Sequence, residues 1–360
     1  MTLFDSPAFD GHEAVHAFHD ADSGLKCIIA IHSTARGPSA GGCRMWAYGS
    51  AEAALEDALR LSRAMSYKNA VADLELGGGK AVIIGDSRTM KTPALFEAFG
   101  RAVEAVCGRY WAAEDVGITP ADLAHARKFS RYVAGLDGHP AASGDPSPVT
   151  AEGVFRGIKL GVEQAHGSGL DGLTVAIQGV GHVGGVLADK LHAAGARLIV
   201  ADANEASARA VAERTGAQVT HPDAIFDAQA QVFAPCALGG AINMETLPRL
   251  KARVIAGGTN NQLASAEAGR ALYEKGLIYA PDYVINGGGI INVAAEIRAL
   301  DRGLAYEPDW VEAKLGRLMD TLAQVLRRSK DEQRPTHQIA GEIARARIAE
   351  GRGAQPAAHG

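Results

Sequence analysis

The chain has 360 residues, room for about two domains at roughly 150 residues each. Hydrophobic residues make up 47% and charged ones 21%, a composition that packs cores and excludes disorder as the dominant state. The 36 Lys+Arg against 41 Asp+Glu leave a net charge of −5 with no basic block, which argues against a nucleic-acid partner.

The longest apolar runs, such as Leu25 to Ile31, are too short to span a bilayer and are broken by Lys26, so no membrane partner is expected. Met1 to Asp10 has neither the basic nor the apolar region of a secretory signal. Cys27, Cys43, Cys107 and Cys236 lie far apart and form no C-x-x-C pair. Neither a disulfide framework nor a metal site is expected of them, and a reducing cytoplasm suits them.

In chain order, LKCIIAIH (25–32) reads as a short buried strand, followed by a glycine-rich turn from Gly37 to Gly42. Ser50 can cap a helix over 51–69 with Leu55, Ala58, Leu59, Ser62 and Met65 on one face. Gly77 to Gly79 lead through Lys80 into the apolar run Ala81 to Ile84, and helices are expected near 90–107 and 120–130. GLDGHPAASGDPSP (135–148) is the best candidate for a domain boundary, with a helix from Thr150 to His166 after it. Strand and helix then alternate. Strand 173–178 precedes a helix to about Ala194, and strand 197–201 precedes a helix from Asn204 to about Thr215. Apolar runs follow at 230–234, 253–256 and 278–280. This alternation predicts a parallel, doubly wound sheet. A helical tail is expected over 308–348, with the last ten residues frayed.

Gly179-Val180-Gly181-His182-Val183-Gly184 fits G-x-G-x-x-G, a weak pattern alone but one that here joins a predicted strand to a predicted helix. Glycines Gly179, Gly181 and Gly184 would supply the turn, the close approach and the strand–helix contact, and the helix start could take a pyrophosphate. Asp202 ends the next strand, where a carboxylate accepts from a ribose 2′-hydroxyl and repels a 2′-phosphate, favouring NAD over NADP.

Lys68 ends its helix on the face of Met65, and Lys80 enters an apolar strand. A phosphate loop is rejected, because residue 74 is leucine and Ala81 follows the lysine. A lysine beside a second cation in a dry cleft loses its proton more readily and can serve as a general base. Asp115, in AEDVG, offers an acid nearby. From the residues alone, exposed lysines and a turn aspartate remain the plainer alternative.

Taken together, GPSAGGCRMW (37–46), ALRLSRAMSYKNA (58–70), GGGKAVIIGD (77–86), AEDVG (113–117), PSPVTAEGV (146–154), QGVGHVGG (178–185), FAPCALGG (233–240) and YAPDYVINGGGIINVA (279–294) resemble the glutamate/leucine/phenylalanine/valine family of amino acid dehydrogenases, most closely its leucine-type members. The resemblance runs from about residue 12 to 345. It implies a two-domain α/β fold. A substrate and oligomerisation domain over 1–135 would be rejoined by C-terminal helices at about 330–350. A Rossmann-like NAD domain would cover 136–329, with the chemistry in a closing cleft between the two. It implies a reversible reaction in which L-amino acid, NAD+ and water give 2-oxo acid, ammonia and NADH. Lys68 would bind the α-carboxylate, Lys80 would activate water as general base, and Asp115 would shuttle the amine proton. Gly42 and Gly78 would line the substrate approach. Thr150 would hold the nicotinamide carboxamide, with Asn261 and Asn286 bordering the ring, while His182 and Val183 belong to the phosphate turn. A cytoplasmic homo-oligomer is expected.

Ala40 stands where glutamate-specific relatives carry a lysine, and Val293 where they carry a hydroxyl. Burying a carboxylate against Ala40, Met65, Ala113, Ile290 and Val293 without a counterion would cost several kcal/mol. An apolar side chain is therefore expected, branched-chain first and aromatic as the alternative. A catalytically silent NAD-binding protein is the other reading weighed, and the set Lys68, Lys80 and Asp115 argues against it. Asp145, where many relatives have asparagine, is a further departure.

Overall fold

The computed structural model describes residues 3–167 and 169–354, which divide into two compact units. The first comprises 3–144, 290–312 and 344–354, and the second 145–289 and 313–343.

The first unit is built on strands β1 (Ala14–Asp20), β2 (Leu25–Ser33), β3 (Ser39–Trp46), β4 (Gly77–Ile84) and β5 (Tyr110–Glu114), in the order β1-β2-β4-β3-β5. β4, β3 and β5 run parallel, while β2 is antiparallel to both β1 and β4. Helices α1 (Ala51–Val71), α2 (Pro93–Ala105) and α3 (Pro120–Arg127) connect them. Ser50 caps α1 by accepting the Ala53 amide at 3.1 Å. Thr92 and Thr119 cap α2 and α3, each followed by a proline that needs no amide partner. Phe96, Phe99, Tyr110, Ile29, Ile31 and Met45 fill the core beneath α2; each side chain of that size contributes about 1.5–3 kcal/mol on burial.

The expected turn over Gly37–Gly42 ends at Pro38: Ser39–Gly42 lie in β3, between β4 and β5. Glycine is a turn signal in sequence, but here it lets neighbours close in. A Cβ on Gly41 would sit 2.0 Å from the Gly79 carbonyl, and one on Gly78 would sit 2.1 Å from the Ser66 amide of α1. The same closeness selects the buried stripe of α1. It runs through Ala54, Ala58, Ser62, Ser66 and Asn69, with Leu55 and Met65 only half-buried at its flank.

The second unit opens with α4 (Ser147–His166) and continues β6 (Thr174–Gln178), α5 (His182–Ala193), β7 (Arg197–Ala201), α6 (Glu205–Thr215), β8 (Gln218–Val219), β9 (Val232–Pro235), β10 (Val254–Ile255), α7 (Ala266–Glu274), β11 (Ile278–Tyr279) and α8 (Asp282–Ile285). Its sheet is wholly parallel, in the order β11-β10-β9-β6-β7-β8. Counted from β6 this is the 3-2-1-4-5-6 arrangement of doubly wound nucleotide folds, with the strand order reversing between β6 and β9. Gly167 and Gly216, both in the left-handed region, end α4 and α6.

α9 (Gly288–Arg302), not foreseen as a helix, begins in the second unit and passes into the first. There Glu296, fully buried, gathers the Gly135, Leu136 and Ser143 amides and the Ser143 hydroxyl at 2.7–3.0 Å. The expected single tail is two helices, α10 (Pro308–Asp331) and α11 (Thr336–Ala354), because Pro335 cannot continue the first. Residues 355–360, within the stretch expected to fray, lie outside the described residues. No described helix is long and apolar enough to cross a membrane.

Candidate active site

Three parallel strands set the polar centre of the first unit. β3 carries Ala40, Gly42 and Arg44; β4 carries Gly78 and Lys80; β5 carries Ala113 and delivers Asp115 just past its end. Their register places Ala40 opposite Gly78 and Gly42 opposite Ala113. Between the pairs Ala40–Gly78 and Cys43–Ala81 the β3–β4 ladder is interrupted. The buried Tyr110 hydroxyl fills that gap, donating to the Gly41 carbonyl at 2.6 Å and accepting the Ala81 amide at 3.1 Å. A Cβ on Gly79 would lie 2.7 Å from the Tyr110 ring, so the glycine makes room for the wedge.

Lys80, 5% exposed, forms an ion pair with Asp115 Oδ2. The same oxygen accepts Arg44 Nε at 3.2 Å. Burial works to raise the Asp115 carboxyl, but the charges of Lys80 and Arg44 outweigh it and hold the group below the usual aspartate range. The direct partner of Lys80 is therefore an anion, where the sequence reading set a second cation beside it. Lys68 lies in the last turn of α1, half-buried.

Sequence reasoning did not single out Arg44, although it stands in the quoted GGCRMW stretch. Burial would lower its pKa, but Asp115 and Asp57 raise it above its already high value. The available signal was an arginine inside a strand whose neighbours are nearly all buried.

Ala40 and Ala113 are buried on adjacent strands, the Met65 side chain lies against Gly41, and Ile290 and Val293, one turn apart on α9, are half-buried. The tightness at Gly42 and Gly78 comes from the protein itself. A Cβ on Gly42 would meet the Glu114 carbonyl at 2.3 Å and Asp115 Cβ at 2.7 Å, and one on Gly78 would meet α1.

The remaining expected residues belong to the second unit. Gly179 follows β6 with φ +90°, and its Cβ would lie 2.8 Å from the Ala237 backbone, after β9. A Cβ on Gly184 would strike the Gly179 carbonyl at 2.0 Å, whereas the space above Gly181 is open to 4 Å. Gly181 begins α5 with no side chain capping it, and His182 and Val183 form the first turn. Asp202, past the end of β7, accepts the Val180 amide on Oδ2 and the Asn204 amide on Oδ1, both at 2.8 Å. The Thr150 hydroxyl donates to the Pro146 carbonyl at 2.9 Å and lies against Gly289. Asn261 has φ +53°, and its carbonyl accepts the Gly240 amide at 2.7 Å. Asn286 is 4% exposed and donates to Asn260 Oδ1 at 2.8 Å, while its own buried Oδ1 has no partner among the described residues. Asp145 Oδ1 accepts the Ser147 amide at 2.8 Å, at the start of α4.

This arrangement fits a dinucleotide. An uncapped helix start faces open space over Gly181, a carboxylate stands at the end of the next strand, and Asn286 keeps a buried acceptor unsatisfied.

Residues 12–131 match the Glu/Leu/Phe/Val dehydrogenase dimerisation domain, and residues 199–355 match the Glutamate/Leucine/Phenylalanine/Valine dehydrogenase domain. The chain is 49% identical over 350 residues to a leucine dehydrogenase of Geobacillus stearothermophilus, covering 97% of this chain and 94% of that protein. It is 43% identical over 354 residues to a phenylalanine dehydrogenase of Bacillus thermotolerans, covering 97% and 91%. The crystal structure of L-tryptophan dehydrogenase from Nostoc punctiforme superposes with a TM-score of 0.82 at 40% identity, over 95% of this chain and 97% of that one.

Proposed function

The chain belongs to the Glu/Leu/Phe/Val dehydrogenase family and is an amino acid dehydrogenase, and on that premise we propose that it catalyses the reversible, NAD-dependent oxidative deamination of an apolar L-amino acid, leucine or another branched-chain one first. The observation that carries this reading is the ion pair of buried Lys80 with half-buried Asp115, beside strands that carry Ala40, Gly42 and Ala113. In this reading the pair is the proton-handling centre, and the neighbouring Ala40 and Ala113 offer no counterion to a carboxylate at the end of a substrate side chain.

In this reading Lys68 anchors the α-carboxylate. Lys80 takes a proton from the water that attacks the imine carbon, and Asp115 exchanges a proton with the departing amine. Ala40, Met65, Ala113, Ile290 and Val293 surround the side chain, with Gly42 and Gly78 keeping the approach narrow. A glutamate side chain there would lie unpaired at a cost of several kcal/mol. The first unit would be the substrate domain and the second the nucleotide domain. NAD, when bound, would supply the hydride acceptor. Gly179, Gly181, His182, Val183 and Gly184 would hold its pyrophosphate, Asp202 its ribose, and Thr150, Asn261 and Asn286 its nicotinamide end. The Asp202 carboxylate would repel a 2′-phosphate, which favours NAD over NADP. We extend the same reading to a homo-oligomer in the cytoplasm, where four free cysteines, two of them buried, stay reduced.

The test is kcat/KM for a panel of 2-oxo acids with ammonium and either NADH or NADPH. The reading expects 4-methyl-2-oxopentanoate and its branched relatives to lead, and 2-oxoglutarate to trail by at least about 100-fold. Neighbouring aliphatic substrates should differ little, since one methylene is worth about 0.8 kcal/mol. The small Ala40 favours one second reading, an aromatic substrate, which phenylpyruvate at the head of the panel would establish.

A further inference from the structure

Arg44 connects Asp115 to a group of side chains outside the reacting pair. Its Nε donates to Asp115 Oδ2 at 3.2 Å and its Nη1 to Asp57 Oδ2 at 2.9 Å. Asp57, on α1, is held in turn by the Tyr48 hydroxyl at 2.7 Å and by Arg60 Nη2 at 2.7 Å. The guanidinium thus bridges two carboxylates and cannot turn away from one without straining against the other.

We infer that Arg44 is a positioning residue that fixes the Asp115 carboxylate against Lys80 through a guanidinium anchored on Asp57, and so sets the geometry and charge balance of the proton-transfer pair. This rests on the reading that Lys80 and Asp115 move the protons of the reaction. Whenever Lys80 gives up its proton, its pull on Asp115 disappears. Arg44 stays charged at every working pH and keeps the carboxylate ionised and in place. A lysine could not do the same, because a point charge lacks the fork that spans Asp57 and Asp115.

The groups around Asp115 make the sign of the electrostatic effect definite. Lys80 faces it from β4 and Arg44 from β3, with Asp57 and Tyr48 behind Arg44. Cys43 on β3 and Tyr110 on β5 also sense it, and burial pushes both well up, so they stay neutral. Glu114 beside it is exposed. Removing the Arg44 cation makes protonation of the coupled pair easier, and removing the Asp57 anion makes it harder.

The experiment is kcat against pH for the full-length enzyme with ammonium, 4-methyl-2-oxopentanoate and NADH, with KM recorded throughout. Arg44→Met should lower kcat about 10–100-fold and move the acid limb up by about one pH unit. Asp57→Asn should move that limb down. Arg44→Lys should return the limb towards wild type while kcat stays low, with KM for NADH within about twofold in all three. Opposite movements from two neighbouring residues are a signature that general structural damage does not produce. Unmoved limbs in both Arg44→Met and Asp57→Asn, or a wild-type kcat in Arg44→Met, overturn the inference. If Arg44→Met fails to fold, Asp57→Asn decides: a limb moved down supports it and an unmoved limb overturns it. Absence of turnover by the wild-type enzyme on every 2-oxo acid overturns the underlying reading instead.

Discussion

Asp202 accepts the Val180 backbone amide at 2.8 Å, tying the end of β7 to the glycine turn after β6. The carboxylate that would meet a ribose is thereby fixed by the same turn that would receive the pyrophosphate. Replacing it removes both the ribose acceptor and the barrier to a 2′-phosphate. Asp202→Ala should lower the kcat/KM ratio of NADH over NADPH by at least about tenfold, the worth of one charge-assisted hydrogen bond. A ratio equal to wild type would take Asp202 out of cofactor selection.

Lys80 and Asp115 are each other's partner in the first unit, whereas all the residues proposed for the nucleotide lie in the second. Lys80→Ala should therefore cost about 10²–10⁴ in kcat, the usual contribution of a positioned base. NADH binding, read by fluorescence titration, should stay at its wild-type strength. Full turnover by the variant would remove Lys80 from the mechanism.

Gly78 admits no side chain, because a Cβ there meets the Ser66 backbone at 2.1 Å. Gly78→Ala must push α1 away from β4 at a cost of about 1–3 kcal/mol. Thermal melting should show a drop of about 2–4 °C per kcal/mol. An unchanged Tm would mean that the helix yields freely, and that the tightness at this glycine is not structural.

Glu152 on α4 holds Lys190 of α5 at 2.8 Å and Arg156 at 2.6 Å. Burial works to raise its carboxyl, yet these two cations keep it below the ordinary glutamate value of 4.5. A depressed folded pKa contributes stability that is present above the unfolded value and lost as pH falls through the folded one. These side chains are partly exposed, so Glu152→Gln should lower Tm at pH 7 by only about 1–3 °C. The gap should close as the pH drops below about 4. A gap independent of pH would show that the carboxylate's charge contributes nothing.

The alternation of strand and helix over 173–215 was legible in the sequence because Gly181, Asn204 and Gly216 stand where caps and turns need them, and strand 197–201 matches β7 end to end. The run Gly37–Gly42 misled, since Gly41 and Gly42 serve closeness between strands instead of turning the chain, as Gly78 and Gly79 do toward α1 and Tyr110. That requirement depends on Tyr110 and Ser66, which are distant in sequence and carry no local mark. Lys80 was recognisable as out of place in an apolar run, whereas Asp115, near the end of an apolar segment, read from the residues alone as a turn aspartate. Arg44 was not singled out, because its meaning lies in Asp57 and Asp115, 13 and 71 residues away. Glu296 likewise shows its purpose only against amides up to 161 residues earlier.

That last separation bears on how the polypeptide is made. On a ribosome the segment 135–143 emerges before the Glu296 carboxylate that accepts its amides, and every strand of the second unit is synthesised before Glu296 follows. At 5–20 residues per second the wait is roughly ten to thirty seconds. During translation the first unit therefore stays incomplete until 290–312 emerge and the second until 313–343 follow, and a fragment stopped at residue 144 would lack Glu296.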